Sequence, residues 1–508
     1  MTIDPAQIYR LDDDNALSGQ TVVHDEYGIR YVLVSPPWKI DGSTEASPLL
    51  PLAEGGQGAT YLTENPNVIL KFAKFNGKFI TKQCDIEEYK RRVRYISTLP
   101  LPHTNNITVP ETFTQGYAGY RMIFLDGLCS INDFFMSKAL PDEVRPAYIM
   151  DNKSGYRLWN YLLTGALAHR LIILGKAAII LERLHAHGIS YGDISLNNIF
   201  LPRNQSETEV WFIDPDNMVE EGEPRWSQCI GTDPYCSPEI CNNECCNLAT
   251  DTFSFAELAF HLLADRHPFH GKAYNESNLF VEEKNDPRSF SWICDPGDET
   301  NHVDLFLSTE KLFSSELMKL FWQTFVAGKE VSECRPPMSL WATFFFKELD
   351  ELLYCPHCGM SFLIADDDAN ITCPVCKSLL AGYVRFTVYT INGNHELWRI
   401  RKHIAMDTPV SGAVQRRAVA PFGADDYDQD IFFYSFEERQ MTVQKLHVSN
   451  FELFFYDSEG HPQEIGAERV RLPLDKLQSG YFISKIQRFG ITVSRKIVCR
   501  IFGEGIQK

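Results

Sequence analysis

The spacing of apolar positions divides the chain into blocks of different period. From Thr21 to Lys39, runs such as Tyr31-Val32-Leu33-Val34 predict a strand or hairpin. After a polar connector, Asp41–Ser47, a strand-rich stretch extends to about Lys74. A charged helix over Asp85–Leu99 and further strands near Ile107–Leu125 follow. Past residue 130 the period lengthens to that of helices, through Trp159–His187, Phe253–Leu263 and Leu317–Phe325. Strands first and helices afterwards describe a small sheet lobe packed on a larger helical lobe, an α+β arrangement. A short cysteine-paired stretch occupies 350–382. From Tyr383 onward strict alternation returns, in Val384–Tyr389, Ile431–Tyr434, Phe451–Tyr456 and Val493–Phe502, and predicts a C-terminal all-β domain. The expected boundaries are 1–45 for a leader with a strand extension, 46–345 for the two-lobed domain, 350–382 and 383–508. Residues 1–20, acidic and aperiodic, are expected to be poorly ordered. Neither an internal repeat nor a low-complexity tract is visible.

Composition narrows the class. At 508 residues about two to four domains are expected, and 44% hydrophobic with 23% charged residues is ordinary for a globular chain. A formal charge of −19 speaks against a sequence-independent grip on nucleic acid, which needs dense Lys and Arg facing phosphates. Met1–Leu17 lacks the apolar core of a signal peptide. The most apolar helical stretch, Leu171–Leu184, is interrupted by Gly175, Lys176, Glu182 and Arg183, and reads as a buried helix rather than a membrane span. Of fourteen cysteines, ten are scattered and four form two CxxC pairs, a usage that fits a reducing compartment and a metal site. The expectation is a cytoplasmic protein with neither a nucleic-acid nor a membrane partner.

The first chemical signal is Leu52-Ala53-Glu54-Gly55-Gly56-Gln57-Gly58-Ala59-Thr60-Tyr61. Glycines let a backbone turn sharply and approach phosphate oxygens with no Cβ in the way. Alone, such a run reads equally as a hairpin turn. After the Asn65-Pro66-Asn67 turn comes a strand carrying Lys71, placed to neutralise phosphate charge under the loop. The second signal is more specific. Tyr191-Gly192-Asp193-Ile194-Ser195-Leu196-Asn197-Asn198 follows a helix end, and Ile213-Asp214-Pro215-Asp216 lies a little beyond, with Asp214 sixteen residues after Asn198. Phosphoryl transfer needs a base for the acceptor hydroxyl and oxygen ligands that hold Mg2+ on the phosphates. Asp193, Asn198 and Asp214 supply that set.

These residues resemble the protein kinase superfamily over about 300 residues, and the type resembles atypical bacterial Ser/Thr kinases of stress and tellurite resistance. The resemblance implies a bilobal kinase-like fold that binds ATP and Mg2+. Gly55, Gly56 and Gly58 stand in the nucleotide-covering loop and Lys71 in the strand lysine's place. Asp193 stands as the base, with Asn198 and Asp214 as Mg2+ ligands. Gly231-Thr232 through Pro238-Glu239 looks like the end of an activation segment, where Thr232 would touch Asp193 and Glu239 would pair with an arginine, here Arg335. Asp251 resembles the aspartate that anchors the catalytic loop. That segment forms the peptide platform of protein kinases, so a protein substrate is implied. Gly192 replaces the arginine that reads a phosphorylated activation segment, which implies activity independent of that phosphorylation. Asp216 replaces a glycine and implies a stiffer hinge. For the helix glutamate that pairs with Lys71, Glu88 and Glu87 are candidates, although apolar alignment also admits Arg92. A pseudokinase or nucleotide-binding scaffold is the alternative reading.

Cys355-Pro356-His357-Cys358 and Cys373-Pro374-Val375-Cys376 are two knuckles separated by fourteen residues. Two such turns complete a closed tetrahedral four-sulfur site, a zinc ribbon whose Zn2+ is structural because no coordination position stays open. Asp366-Asp367-Asp368 in the intervening loop disfavours a nucleic-acid contact. A second group, Cys229, Cys236, Cys241, Cys245 and Cys246, reads as incidental thiols or a redox switch. Residues 383–508 offer no catalytic constellation and are expected to form a β-sandwich-like regulatory or partner-binding domain. Chains of this layout resemble defence or stress kinases that work beside a von Willebrand-type protein and a metal-dependent phosphatase.

Overall fold

A computed structural model describes residues 21–39, 49–55, 58–102, 106–136, 144–222, 231–242, 244–279, 285–365, 371–380, 382–392, 395–405, 410–420, 428–437, 440–488 and 490–502. Residues 1–20, Gly56, Asp366–Asp368 and Cys229 lie outside them, and so do the expectations attached to each. The chain forms two compact units, one of residues 1–133 with 183–254 and the other of 134–182 with 255–508.

The first unit is built on an antiparallel sheet. Its strands lie in the order Val22–His24, Arg30–Val34, Gly58–Thr63, Val68–Phe75, Gly119–Ile123 and Thr112–Phe113. Ala53–Gly55 pairs with Gly58–Thr63, and Lys78–Phe79 pairs with Val68–Phe75. Val68–Phe75 is central and nearly all buried, and it carries Lys71. The expected charged helix spans Gln83–Thr98 and buries Ile86, Val93 and Ile96, a single stripe at helical spacing. Its other faces are charged, which explains why the sequence reads as both helical and polar. Leu128–Ser130, Ile199–Pro202 and Trp211–Phe212 form a second, three-stranded sheet. Its last two strands flank the loops that hold Asn198 and Asp214.

The second unit has a helical part and a β part. Within Ala166–Ala186 the side chains of Leu167, Leu171, Ile173, Leu174, Ala177, Ala178 and Leu181 are all out of water. Apolar side chains face most directions around the helix because it runs through the core, with Lys176, Glu182 and Arg183 half-buried at its edge. Among the described residues no single helix is long and apolar enough to cross a membrane. The apolar pattern of Trp159–His187 suggests one continuous helix. The structure breaks it into Lys153–Leu163 and Ala166–Ala186, with Gly165 at φ +88° and Ala166 at φ +50°. Beyond the cysteine module come two antiparallel sheets. Six strands run in the order His395–Ala405, Tyr383–Asn392, Ile491–Phe502, Tyr481–Arg488, Phe451–Tyr456 and Pro462–Glu464. Four more run Val410–Gln415, Asp430–Glu437, Gln440–Lys445 and Val470–Pro473. Phe386, Phe451 and Phe482 from the first sheet share one core with Phe432, Met441 and Val443 from the second, as the alternation requires.

Candidate active site

The glycine run closes a hairpin in which Gly55 pairs with Gly58. A Cβ on Gly58 would meet the Phe72 carbonyl oxygen at 2.7 Å, so only glycine lets this strand pass so close to its neighbour. The register then places Thr60 and Tyr120 on either side of Lys71. Lys71 is buried, as a lysine seldom is without partners.

The loop carrying Asp193 is fixed from below by Asp251. This buried carboxylate accepts the backbone N–H of Tyr191 at 2.6 Å and of Gly192 at 2.8 Å, and lies 3.1 Å from His185 Nε2. Gly192 has φ +86°, and a Cβ there would meet the Asn217 carbonyl oxygen at 2.5 Å. Backbone geometry therefore dictates glycine at this position. Asp193 follows, buried, with Oδ1 accepting from the Thr232 hydroxyl at 2.6 Å. Asn198 Nδ2 donates to Asp193 Oδ2 at 3.0 Å and to its carbonyl at 2.9 Å. Burial pushes the Asp193 carboxyl up to about 6; the Thr232 hydrogen bond opposes this and the Asp214 charge adds to it. A base poised there accepts a proton near neutrality.

Asp214 sits in the left-handed region at φ +63° and forms an ion pair with Lys71 through Oδ1. Asp216 Oδ2 lies 2.8 Å from the same ammonium, and Asp216 Oδ1 accepts from Tyr120 Oη at 2.8 Å. Burial works against the charge of Lys71, but the two carboxylates outweigh it and hold the lysine above its usual pKa. Burial likewise lifts the Asp214 carboxyl, against the pull of Lys71. In Asp216 burial is overcome by Lys71 and Tyr120, and its pKa falls. Glu88, expected beside Lys71, is exposed, as is Glu87. The helix buries Ile86, Val93 and Ile96, and Glu88 lies off that stripe. Arg92 flanks it and donates to the Asp216 carbonyl and to Asn217 Oδ1, both at 2.9 Å.

A hard divalent cation fits the donor chemistry present. Asp214 offers a carboxylate that is 32% exposed, against 13% for Asp216. Asn198 turns its amide nitrogen to Asp193, which leaves its carbonyl oxygen to ligate. Asp214 and Asp216 share one ammonium, and the Asp193 carboxyl is near enough to feel the Asp214 charge, so the cluster has negative charge to spare for a cation.

No protein-family model matches the chain. Curated relatives nevertheless exist. Human protein kinase C delta type is 33% identical over 143 residues, covering 27% of this chain and 19% of its own length. Protein kinase C-like 1 of Caenorhabditis elegans is 23% identical over 254 residues, 40% of this chain and 35% of the relative. Human serine/threonine-protein kinase Nek5 is 33% identical over 91 residues, 18% and 13%. Distant homologues of this chain are Ser/Thr protein kinases. The chain spans between about an eighth and about a third of the length of these kinases.

Apart from the aspartate cluster, Cys355, Cys358, Cys373 and Cys376 bring their sulfurs within 4.8 Å of one another. Cys355 and Cys376, and Cys358 and Cys373, are each 3.6 Å apart. A tetrahedron with Zn–S bonds of about 2.3 Å has edges of about 3.8 Å, so the cage is the right size for zinc. Sequence reasoning missed Tyr120 and the pairing of Asp216 with Lys71. An aspartate two positions after Asp214 was the available signal.

Proposed function

We propose that the protein is an ATP-dependent protein Ser/Thr kinase with a bilobal kinase-like domain over 46–345. Asp193 accepts the proton of the substrate hydroxyl, and Asn198 and Asp214 hold Mg2+, which when bound neutralises the phosphates. Lys71 orients the phosphates beneath the Gly55–Gly58 hairpin. The observation that carries this reading is the bond between Asp193 and Thr232. It ties the base to a segment, Gly231–Glu239, that small-molecule phosphotransferases generally lack, and so favours a peptide acceptor. The four-cysteine module and the β domain would then regulate the kinase or bind its partners.

A scaffold reading has one observation in its favour, since Lys71 is already neutralised by two aspartates. The two are separated by measuring γ-phosphate transfer from radiolabelled ATP to the chain itself and to a generic Ser/Thr acceptor. Wild type is expected to transfer, and Asp193→Asn and Asp214→Ala to lose at least about a hundredfold in rate. Nucleotide binding by wild type without any transfer would sink the enzyme and leave the scaffold.

A further inference from the structure

The lysine of this site draws no acid from the neighbouring helix: Glu87 and Glu88 face solvent, and the helix sends Arg92 to the loop after Asp214 instead. We propose that Asp216 is the positioning residue for Lys71, supplying from the metal loop the ion pair that kinases ordinarily take from that helix. This deepens the kinase reading and rests on it.

Asp216 is held at three points, two on its carboxylate and one on its carbonyl. Oδ2 meets Lys71 Nζ at 2.8 Å, with the two side chains 13% and 8% exposed, so little water screens the pair. Oδ1 takes the Tyr120 hydroxyl at 2.8 Å. Tyr120 is the cross-strand partner of Lys71, so one strand pair sets the place of both lysine and carboxylate. Tyr120 is itself stacked on Tyr89 of the helix, with ring centroids 6.5 Å apart. The Asp216 carbonyl is gripped by Arg92 at 2.9 Å. With both carboxylate oxygens and the carbonyl engaged, Asp216 has one orientation. Asp214, the more open acid at 32% exposure against 13%, meets the lysine through Oδ1 and is the one left accessible to a cation. The two aspartates therefore divide the work: Asp216 holds the lysine and Asp214 the metal. The helix acts on this pair through the Arg92 contacts to the loop and through the Tyr89–Tyr120 stack.

Two variants of the full chain test this. Asp216→Asn keeps the shape and an acceptor for Tyr120 but loses the charge; Asp216→Glu keeps the charge. Binding of a non-hydrolysable ATP analogue is read by calorimetry, with Mg2+ and again in EDTA, alongside kcat and KM for ATP. Asp216→Asn is expected to weaken analogue binding in both buffers and to lower kcat/KM about tenfold or more, and Asp216→Glu to recover most of the loss. Unchanged or tighter binding by Asp216→Asn would overturn the proposal, since Asp216 would then only compete with phosphates. A loss seen with Mg2+ but absent in EDTA would also overturn it, making Asp216 a metal ligand. So would a folded Asp216→Glu, judged by circular dichroism, that recovers nothing. If wild type binds the analogue and the variants follow the expected order while no phosphate is transferred, the positioning role stands and the kinase reading falls.

Discussion

Asp193 has its pKa near 6 because burial outweighs the hydrogen bonds it accepts, and this makes a pH profile predictable. The proposed base works only when ionised. The acid limb of kcat/KM is therefore expected near pH 6, falling about tenfold per unit below it. Thr232→Val removes a hydrogen bond that favours the ionised form, so the limb should move to higher pH. An acid limb near pH 4 in wild type would contradict the role. At this scale the sequence was most legible where chemistry restricts the residue type. Asp193, Asn198 and Asp214, which the structure brings together, stand out because few other side chains suit the proposed roles of base and oxygen ligand. Lys71 was legible too, but its partner was not. Which carboxylate reaches an ammonium is settled by turn geometry and helix phase, and Asp216 reaches it from a residue held at φ +63° two positions earlier. The phase of Ile86, Val93 and Ile96 already turns Glu88 aside, a cue that the charge pattern of the helix obscured.

Among the elements, the helix Met338–Glu351 carries a feature that no periodicity announces. Glu348 is 1% exposed, its Oε2 accepts from the Ser314 N–H at 2.8 Å, and Oε1 has no hydrogen-bond partner among the described residues. Burial raises its pKa from 4.5 to about 8, with the Ser314 bonds opposing. The folded chain thus binds this proton more tightly than the unfolded one. The stabilisation is complete below pH 4.5 and is lost as pH rises through about 8, by at most about 1.4 kcal/mol per unit. Glu348→Gln removes the titration and keeps an acceptor for Ser314. Its Tm is expected to fall less than that of wild type between pH 5 and 8.5, and parallel curves would refute the assignment. Element types were largely readable from apolar spacing, as in the central strand and the C-terminal strands. The break at Gly165 was not, because apolar residues continue in helical phase on both sides of it.

On the scale of the molecule, the cysteine module and the β domain are not beads on a string. Within the second unit Asp350, buried at the end of Met338–Glu351, takes Arg417 at 2.8 and 3.1 Å, and His403 Nδ1 lies 2.7 Å from the Glu351 carbonyl. Ser361, at the edge of the cysteine cage, accepts the Ala168 N–H at 2.9 Å. A metal bound in that cage would therefore steady a helix outside the module as well as the knuckles. Cys373→Ser is expected to lose the bound metal, read by mass spectrometry of the native protein, and to raise hydrogen exchange in Ala166–Ala186 as well as in the knuckles. Exchange confined to 350–382 would show an autonomous ribbon. Arg417→Ala leaves Asp350 buried without its main partner and should cost about 3–5 kcal/mol. The gathering of the four cysteines was evident from spacing. The contacts that bind them to helix and sheet were not, because they depend on tertiary neighbours far apart in the chain.

The close approach of Gly192 to the Asn217 carbonyl bears on what this protein can become. Kinases that switch on through a phosphorylated activation segment read the phosphate with an arginine at this point of the loop. Here any side chain meets a carbonyl at 2.5 Å and a backbone of the wrong hand. An arginine cannot be installed by changing one codon; the loop after Asp214 would have to be rebuilt first. In the kinase proposed above, a phosphorylation switch read through this position would have to begin at Asn217, not at Gly192.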